Sequence, residues 1–212
     1  MGKFTRKVFR LIRSKILYNN SEKSLRTIMG MIKDNGTTGD YLEFGVYKGG
    51  SMNHAMQMAE EMKIQDMTFY GFDSFDGMPK HNEGGTIKEG DYSCSEEEVE
   101  VFLIKQRYDY NFYLIKGWFK DIAPLKMIIK DVAVVNIDCD FYESTKDVLR
   151  LIKPFLKTGM IIRFDDWFLF LDGGQKKAFE EFKETVKDFE FQELNDGSGK
   201  VFIVNGRIRK EN

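Results

Sequence analysis

LEFGVYKGGS, residues 42–51, passes from an apolar run through a glycine-rich turn into a helical pattern. A strand that turns through glycines into a helix is where open α/β sheets place their ligands. Gly45, Gly49 and Gly50 let the backbone turn tightly and approach a bound molecule without Cβ interference. Their spacing is GxxxGG, not the GxGxxG of dinucleotide-binding turns, which counts against a nicotinamide-dependent oxidoreductase. Ser51 falls near the helix start, where a hydroxyl caps the helix or meets a ligand. Glu43, just before the turn, would repel a pyrophosphate. A carboxylate there suits the ammonium of an amino-acid-like ligand.

On either side of this turn, short apolar runs alternate with amphipathic stretches. Strand patterns occupy 41–45, 67–72, 111–115, 132–137 and 159–164, and helical patterns fall near 50–63, 95–106, 118–129, 143–156 and 174–187. VAVVNI and MIIRF are close to continuously apolar, as strands buried on both faces should be. The chain ends differently: FEFQEL (189–194) and VFIV (201–204) flank NDGSGK, whose Asp–Gly signals a hairpin. The prediction is an α/β fold: a Rossmann-like, doubly wound, mostly parallel seven-stranded sheet with a C-terminal antiparallel hairpin strand and helices on both faces. Two further helical patterns, about 3–18 and 21–35, precede the break DNGTTGD. They divide the chain into an N-terminal helical cap or lid segment (1–38) and a main domain (39–212).

Three other segments carry candidate chemistry. GFDSFDGMP (71–79) begins at the end of the second strand pattern, where Asp73 can accept hydrogen bonds from ribose hydroxyls, with Ser74 beside it. VVNIDCDFYEST (134–145) and IIRFDDWF (161–168) put Asp138, Asp140, Asp165 and Asp166 at strand ends on the same rim as the glycine turn. Carboxylates so crowded repel one another unless protonated or bridged by a cation. An all-oxygen set favours a hard ion (Mg²⁺, Ca²⁺ or Mn²⁺), although Asp140 could instead cap the following helix. Gly117 and Trp118 follow the third strand pattern, where an adenine would lie, and Trp118 could equally be core. The polar, Gly-rich stretch 74–93 is long enough to be a lid or binding loop. His54 and His81 are the only histidines and assemble no nucleophile–histidine–acid set, so hydrolase chemistry has little support.

Bulk properties set the remaining limits. At 212 residues, with 42% hydrophobic and 31% charged side chains, one globular domain with a full core is expected. Thirty-two basic and thirty-four acidic residues leave a net charge of −2, which gives no reason to expect a nucleic-acid partner. The two cysteines, Cys94 and Cys139, have no metal-knuckle spacing and fit a reducing compartment, so a cytoplasmic location is expected. The basic N-terminus KFTRKVFRLIRSKILY lacks a secretory h-region. It reads as a surface helix on its own domain, with an anionic membrane surface as the alternative.

At these residues the sequence resembles the macrocin O-methyltransferase (TylF) family. The matching pieces are LEFGVYKGGS, GFDSFDGMP, KGWFKD (116–121), IDCDFYEST, FDDW and GGQKKAFEEF (173–182), in the family's order. The first also looks like the corresponding motif of catechol O-methyltransferase. The resemblance implies S-adenosylmethionine as methyl donor, Mg²⁺ as metal and a sugar hydroxyl as acceptor, with a small phenol as the alternative. It implies that Glu43, Phe44, Gly45, Tyr47, Gly49, Ser51, Asp73, Ser74, Gly117 and Trp118 surround the donor. Asp138, Asp165 and Asp166 would hold the metal, and Asp140 or Asp138 would act as base. Enzymes of this resemblance often assemble into oligomers. A non-catalytic binding module on the same fold would have no need of such an acidic rim.

Overall fold

The computed structural model describes residues 21–81, 86–169, 173–194 and 199–206. Seven strands form one sheet: β1 (Asp40–Phe44), β2 (Phe69–Asp73), β3 (Phe112–Lys116), β4 (Val132–Ile137), β5 (Ile161–Phe164), β6 (Phe189–Leu194) and β7 (Lys200–Gly206). Their order is β3-β2-β1-β4-β5-β7-β6. β1 to β5 pair in parallel, and β7 runs antiparallel to both β5 and β6. The predicted doubly wound sheet with one reversed strand is therefore present. All six residues of β4 are buried, as a pattern apolar except at Asn136 requires of a central strand.

Five helices cover the sheet: α1 (residues 21–35), α2 (Gly50–Met62), α3 (Glu96–Gln106), α4 (Tyr142–Ile152) and α5 (Gly174–Glu184). Leu42, Phe44, Val135, Ile137, Ile162 and Phe164 pack with α4 and α5 on one face. On the other, Tyr41, Val134 and Ile161 pack with α1, α2 and α3. Ser95 caps α3 in a reciprocal capping box with Glu98, and Glu96 and Glu97 complement the positive end of the helix dipole. α1 buries Leu25, Ile28, Met29 and Ile32, spaced along one helical face. The described part of the expected 1–38 segment packs its apolar face into the core beside α2 and α3. The basic helix expected over 3–18 lies outside the described residues. Among the described residues no helix is long and apolar enough to cross a membrane.

One predicted helix is absent. Residues 118–129 instead form two single 3₁₀ turns, Phe119–Asp121 and Leu125–Met127. Pro124 separates them: it offers no N–H to a helix and disfavours helical geometry at Ala123.

Between β1 and β4 the sheet reverses its winding, and a crevice opens beyond the carboxyl ends of the strands. Backbone pairing continues one residue past several strand ends. Gly45 donates to Phe72 O (2.9 Å), Gly117 to Asp73 O (2.9 Å), Asp138 to Phe44 O (2.8 Å) and Asp165 to Ile137 O (3.0 Å). The rim residues are therefore held by the sheet itself. A Cβ on Gly45 would lie 1.7 Å from the Asp138 carbonyl oxygen, and its φ is +92°. Glycine is needed here because two strand ends touch; the freer approach of a ligand expected from the sequence is secondary. Gly45→Ala is expected to destabilise the protein by on the order of 3 kcal/mol, through overpacking and left-handed strain, measured by urea unfolding.

Candidate active site

The crevice is an open cavity of about 1220 Å³, larger than the ~300–1,000 Å³ of a typical single-ligand site and able to hold two molecules together. Its β1–β3 side is lined by Gly45, Tyr47, Asp73, Ser74, Gly117 and Trp118. Asp73 organises this side. Its Oδ2 accepts from the amides of Val46 (2.7 Å) and Tyr47 (2.9 Å), and its Oδ1 accepts from Phe75 N (2.8 Å). Oδ1 keeps a second acceptor position, the one place where this carboxylate can still meet a hydroxyl. Tyr47 is half in contact with solvent, adopts a left-handed backbone (φ 49°), and meets Tyr92 edge-to-face. Trp118 lines the cavity and is not core.

Four residues expected around a donor do not line this cavity. Phe44 is fully buried and stacks on Phe72 at 4.6 Å, on the face packed by α4 and α5. Gly49 caps α2 beneath Val99 and Phe102. Glu43 has no solvent contact. Tyr41 Oη donates to its Oε2 (2.5 Å), Asn136 Nδ2 to the same oxygen (3.1 Å), and Ser51 Oγ to its Oε1 (2.7 Å). The direct contact with an ammonium expected of Glu43 is thus replaced by a structural role: with Ser51 it fastens the start of α2 to β1. Burial raises the Glu43 pKa, and the three hydrogen bonds oppose that rise.

Opposite lies the acidic side. Asp138, Asp165 and Asp166 each bring a carboxylate oxygen within 4.8 Å of the others. Asp138 and Asp166 line the cavity. Desolvation first, then the neighbouring carboxylates, pushes both well above the usual range. Asp140 also lines the cavity but stands outside this trio. Its left-handed backbone (φ 59°) is braced by its own amide, which donates to Asp166 Oδ2 (3.2 Å). The N-cap of α4 is Phe141 and has no side-chain cap, so the capping alternative for Asp140 does not hold. His81 reaches across from the long loop. It stacks on Phe141 with ring centroids 3.8 Å apart, and Nε2 lies 3.0 Å from Ile87 O. It therefore lines the cavity. His54 is packed within α2.

Three supporting residues were not singled out from the sequence. Gln175 of α5 accepts from Asp166 N (3.0 Å) and donates to Ile137 O (3.0 Å), tying α5 to the acidic rim. Asn136 and Arg163, both without solvent contact, connect Glu43 to Asp165. Their signal was visible as single polar residues interrupting VAVVNI and MIIRF, each two positions before a rim aspartate.

A switch-point crevice with a glycine turn on one side and clustered carboxylates on the other, in a sheet of this order, defines a Rossmann-like methyltransferase fold. The structure superposes on the O-methyltransferase NovP with a TM-score of 0.75 and 26% identity, covering 87% of this chain and 79% of that one. The sequence model of the macrocin-O-methyltransferase (TylF) family matches residues 18–192, and the chain belongs to that family. It is 31% identical over 160 residues to demethyldecarbamoylnovobiocin O-methyltransferase of Streptomyces niveus, 69% of this chain and 61% of that protein. It is 29% identical over 142 residues to 8-demethyl-8-(2,3-dimethoxy-alpha-L-rhamnosyl)-tetracenomycin-C 4'-O-methyltransferase of Streptomyces olivaceus, 62% of this chain and 54% of that protein. The chain thus spans less than two thirds of the length of these relatives.

Glu43→Gln turns an amide N–H toward one of the three donors that now surround the carboxylate. A loss of about 1–3 kcal/mol in urea unfolding is expected, the cost of a buried polar group left unsatisfied.

Proposed function

We propose that the chain is an O-methyltransferase that moves the methyl group of S-adenosylmethionine to a hydroxyl of a sugar on a glycosylated small molecule, with Mg²⁺ as the metal. The observation that carries this reading is the pairing, across one cavity, of the Gly45–Asp73–Gly117 side with the Asp138–Asp165–Asp166 side. Family membership supports the reaction, and the rhamnosyl group in the name of the Streptomyces olivaceus relative supports a sugar acceptor.

The donor side fits the larger molecule. Gly45 and Gly117 leave the strand ends without side chains, and the free acceptor position on Asp73 Oδ1 suits a ribose hydroxyl. Trp118 offers an aromatic face beside them for an adenine. On the acidic side the donor set fits a hard divalent cation. All its atoms are carboxylate oxygens, and a cation would relieve the repulsion that helps hold Asp138 and Asp166 above the usual range. Asp138, Asp165 and Asp166 would hold the ion. When bound, it lowers the pKa of a hydroxyl it contacts and neutralises developing charge.

The chain's own residues supply the rest. Asp140, braced on the cavity wall by the hydrogen bond its backbone N–H donates to Asp166, accepts the hydroxyl proton on its carboxylate. Alignment of two bound partners contributes on the order of 7–11 kcal/mol in favourable cases, and strand ends locked by backbone pairing are suited to provide it. Methyl transfer from a sulfonium to an oxyanion destroys charge, so exclusion of water helps. The described parts of the loop, 74–81 and 86–93, set His81 on Phe141 beside the cavity and act as the cover.

The double variant Asp165→Asn, Asp166→Asn is expected to lower methyl transfer at saturating Mg²⁺ at least about a hundredfold. Calorimetry should still detect S-adenosylhomocysteine binding. Full activity of that variant in the presence of a chelator refutes the metal; loss of S-adenosylhomocysteine binding by the wild-type protein refutes the donor. Activity on a phenolic aglycone, with none on its glycoside, refutes the sugar acceptor.

A further inference from the structure

Glu43, Asn136 and Arg163 stand on three adjacent parallel strands at one level of the sheet: Glu43 is paired with Asn136, and Asn136 with Arg163. None has solvent contact. The Asn136 amide bridges the two charged residues, giving its N–H to Glu43 (3.1 Å) and taking one from Arg163 Nη1 (2.6 Å). The other donors of the guanidinium are directed too. Nε reaches Ser24 Oγ (3.0 Å), and Nη2 serves both Ser21 Oγ (2.9 Å) and the carboxylate of Asp165. The two serines belong to α1, about 140 residues away along the chain.

A buried guanidinium is poor value as a stabiliser, because a well-packed apolar side chain of similar volume does as well or better. What an apolar residue could not do is fix a carboxylate and place a permanent positive charge beside it. Arg163 does both for Asp165. It engages Oδ1, so the carboxylate cannot rotate freely, and an Asp165 oxygen is kept within 4.8 Å of oxygens of Asp138 and Asp166. The fork of the guanidinium matters, since a lysine ammonium is a single point and cannot span these acceptors at once.

We propose that Arg163 is a positioning residue for the acidic cluster. Braced from behind by Ser21 and Ser24 of α1 and by Asn136, it pins Asp165 and so sets the affinity of the Asp138–Asp165–Asp166 cluster for a divalent cation. Seating of α1 is thereby a condition for a cation-competent site, although α1 contributes no ligand. The inference rests on the cation reading given above.

The test is calorimetric titration of the full 212-residue chain with Mg²⁺, with no turnover required. Arg163→Lys keeps the charge and loses the fork, and Mg²⁺ binding should weaken by about tenfold, as is usual when a residue orienting a metal ligand is altered. Ser21→Ala with Ser24→Ala removes the brace and leaves the guanidinium in place, at helix positions where alanine is well tolerated. It should weaken Mg²⁺ binding by about three- to fivefold while the S-adenosylhomocysteine dissociation constant stays within about twofold. The second variant keeps the test decisive if Arg163→Lys does not fold. Wild-type binding of Mg²⁺ with an unchanged constant in the serine variant overturns the inference alone. Absence of Mg²⁺ binding by the wild-type protein refutes the cation reading, and the inference with it.

Discussion

A carboxylate and a guanidinium, Glu43 and Arg163, lie in the middle of the sheet without solvent, joined through the amide of Asn136. Each of these groups would be costly to bury alone, and together they satisfy one another. Because strands β1, β4 and β5 are in parallel register, the three side chains meet only if the register is correct; a one-residue slip turns any of them to the opposite face. The row therefore specifies the pairing of the central strands. That pairing sets the relative height of the strand ends, where every functional group sits.

From this constraint the site follows by short steps. Two residues beyond the row lie Gly45, Asp138 and Asp165, each anchored by a further backbone bond to a neighbouring strand. The Ser51 hydroxyl carries the row's influence to the start of α2, and the bond from Arg163 to Asp165 carries it to the acidic rim. α1 and α5 then brace the rim from outside, through Ser21 and Ser24 on one face and Gln175 on the other. The two halves of the cavity thus share one rigid base, as two reactants that must be aligned in line would require.

The sequence made much of this legible. Strands β4 and β6 fall where their patterns place them, β4 from a run that is apolar except at Asn136 and β6 from an alternating Phe–Glu–Phe–Gln pattern before a turn signal. The DCD and FDDW segments were readable as a rim because strand ends in a parallel sheet all face the same way. Where expectation failed, the deciding partner was distant in sequence. Glu43 looks like a ligand for an ammonium until Asn136, ninety-three residues on, meets it in the fold. The glycine that leaves space for a ligand at position 45 is also demanded by the Asp138 carbonyl, which only the fold brings against it. The helix expected over 118–129 failed for a local reason, Pro124, that outweighed its amphipathic spacing.

In the proposed function the two sides of the cavity form one site, with the methyl donor on the glycine side and a cation among the aspartates. A crystal structure of the protein grown with S-adenosylhomocysteine and Mn²⁺, with anomalous differences recorded at the manganese edge, tests it most directly. The expected result is an anomalous peak bounded by Asp138, Asp165 and Asp166, with S-adenosylhomocysteine between Gly45 and Gly117 and its sulfur facing that peak. A manganese peak elsewhere, or a ligand seated away from the glycine turn, would contradict it.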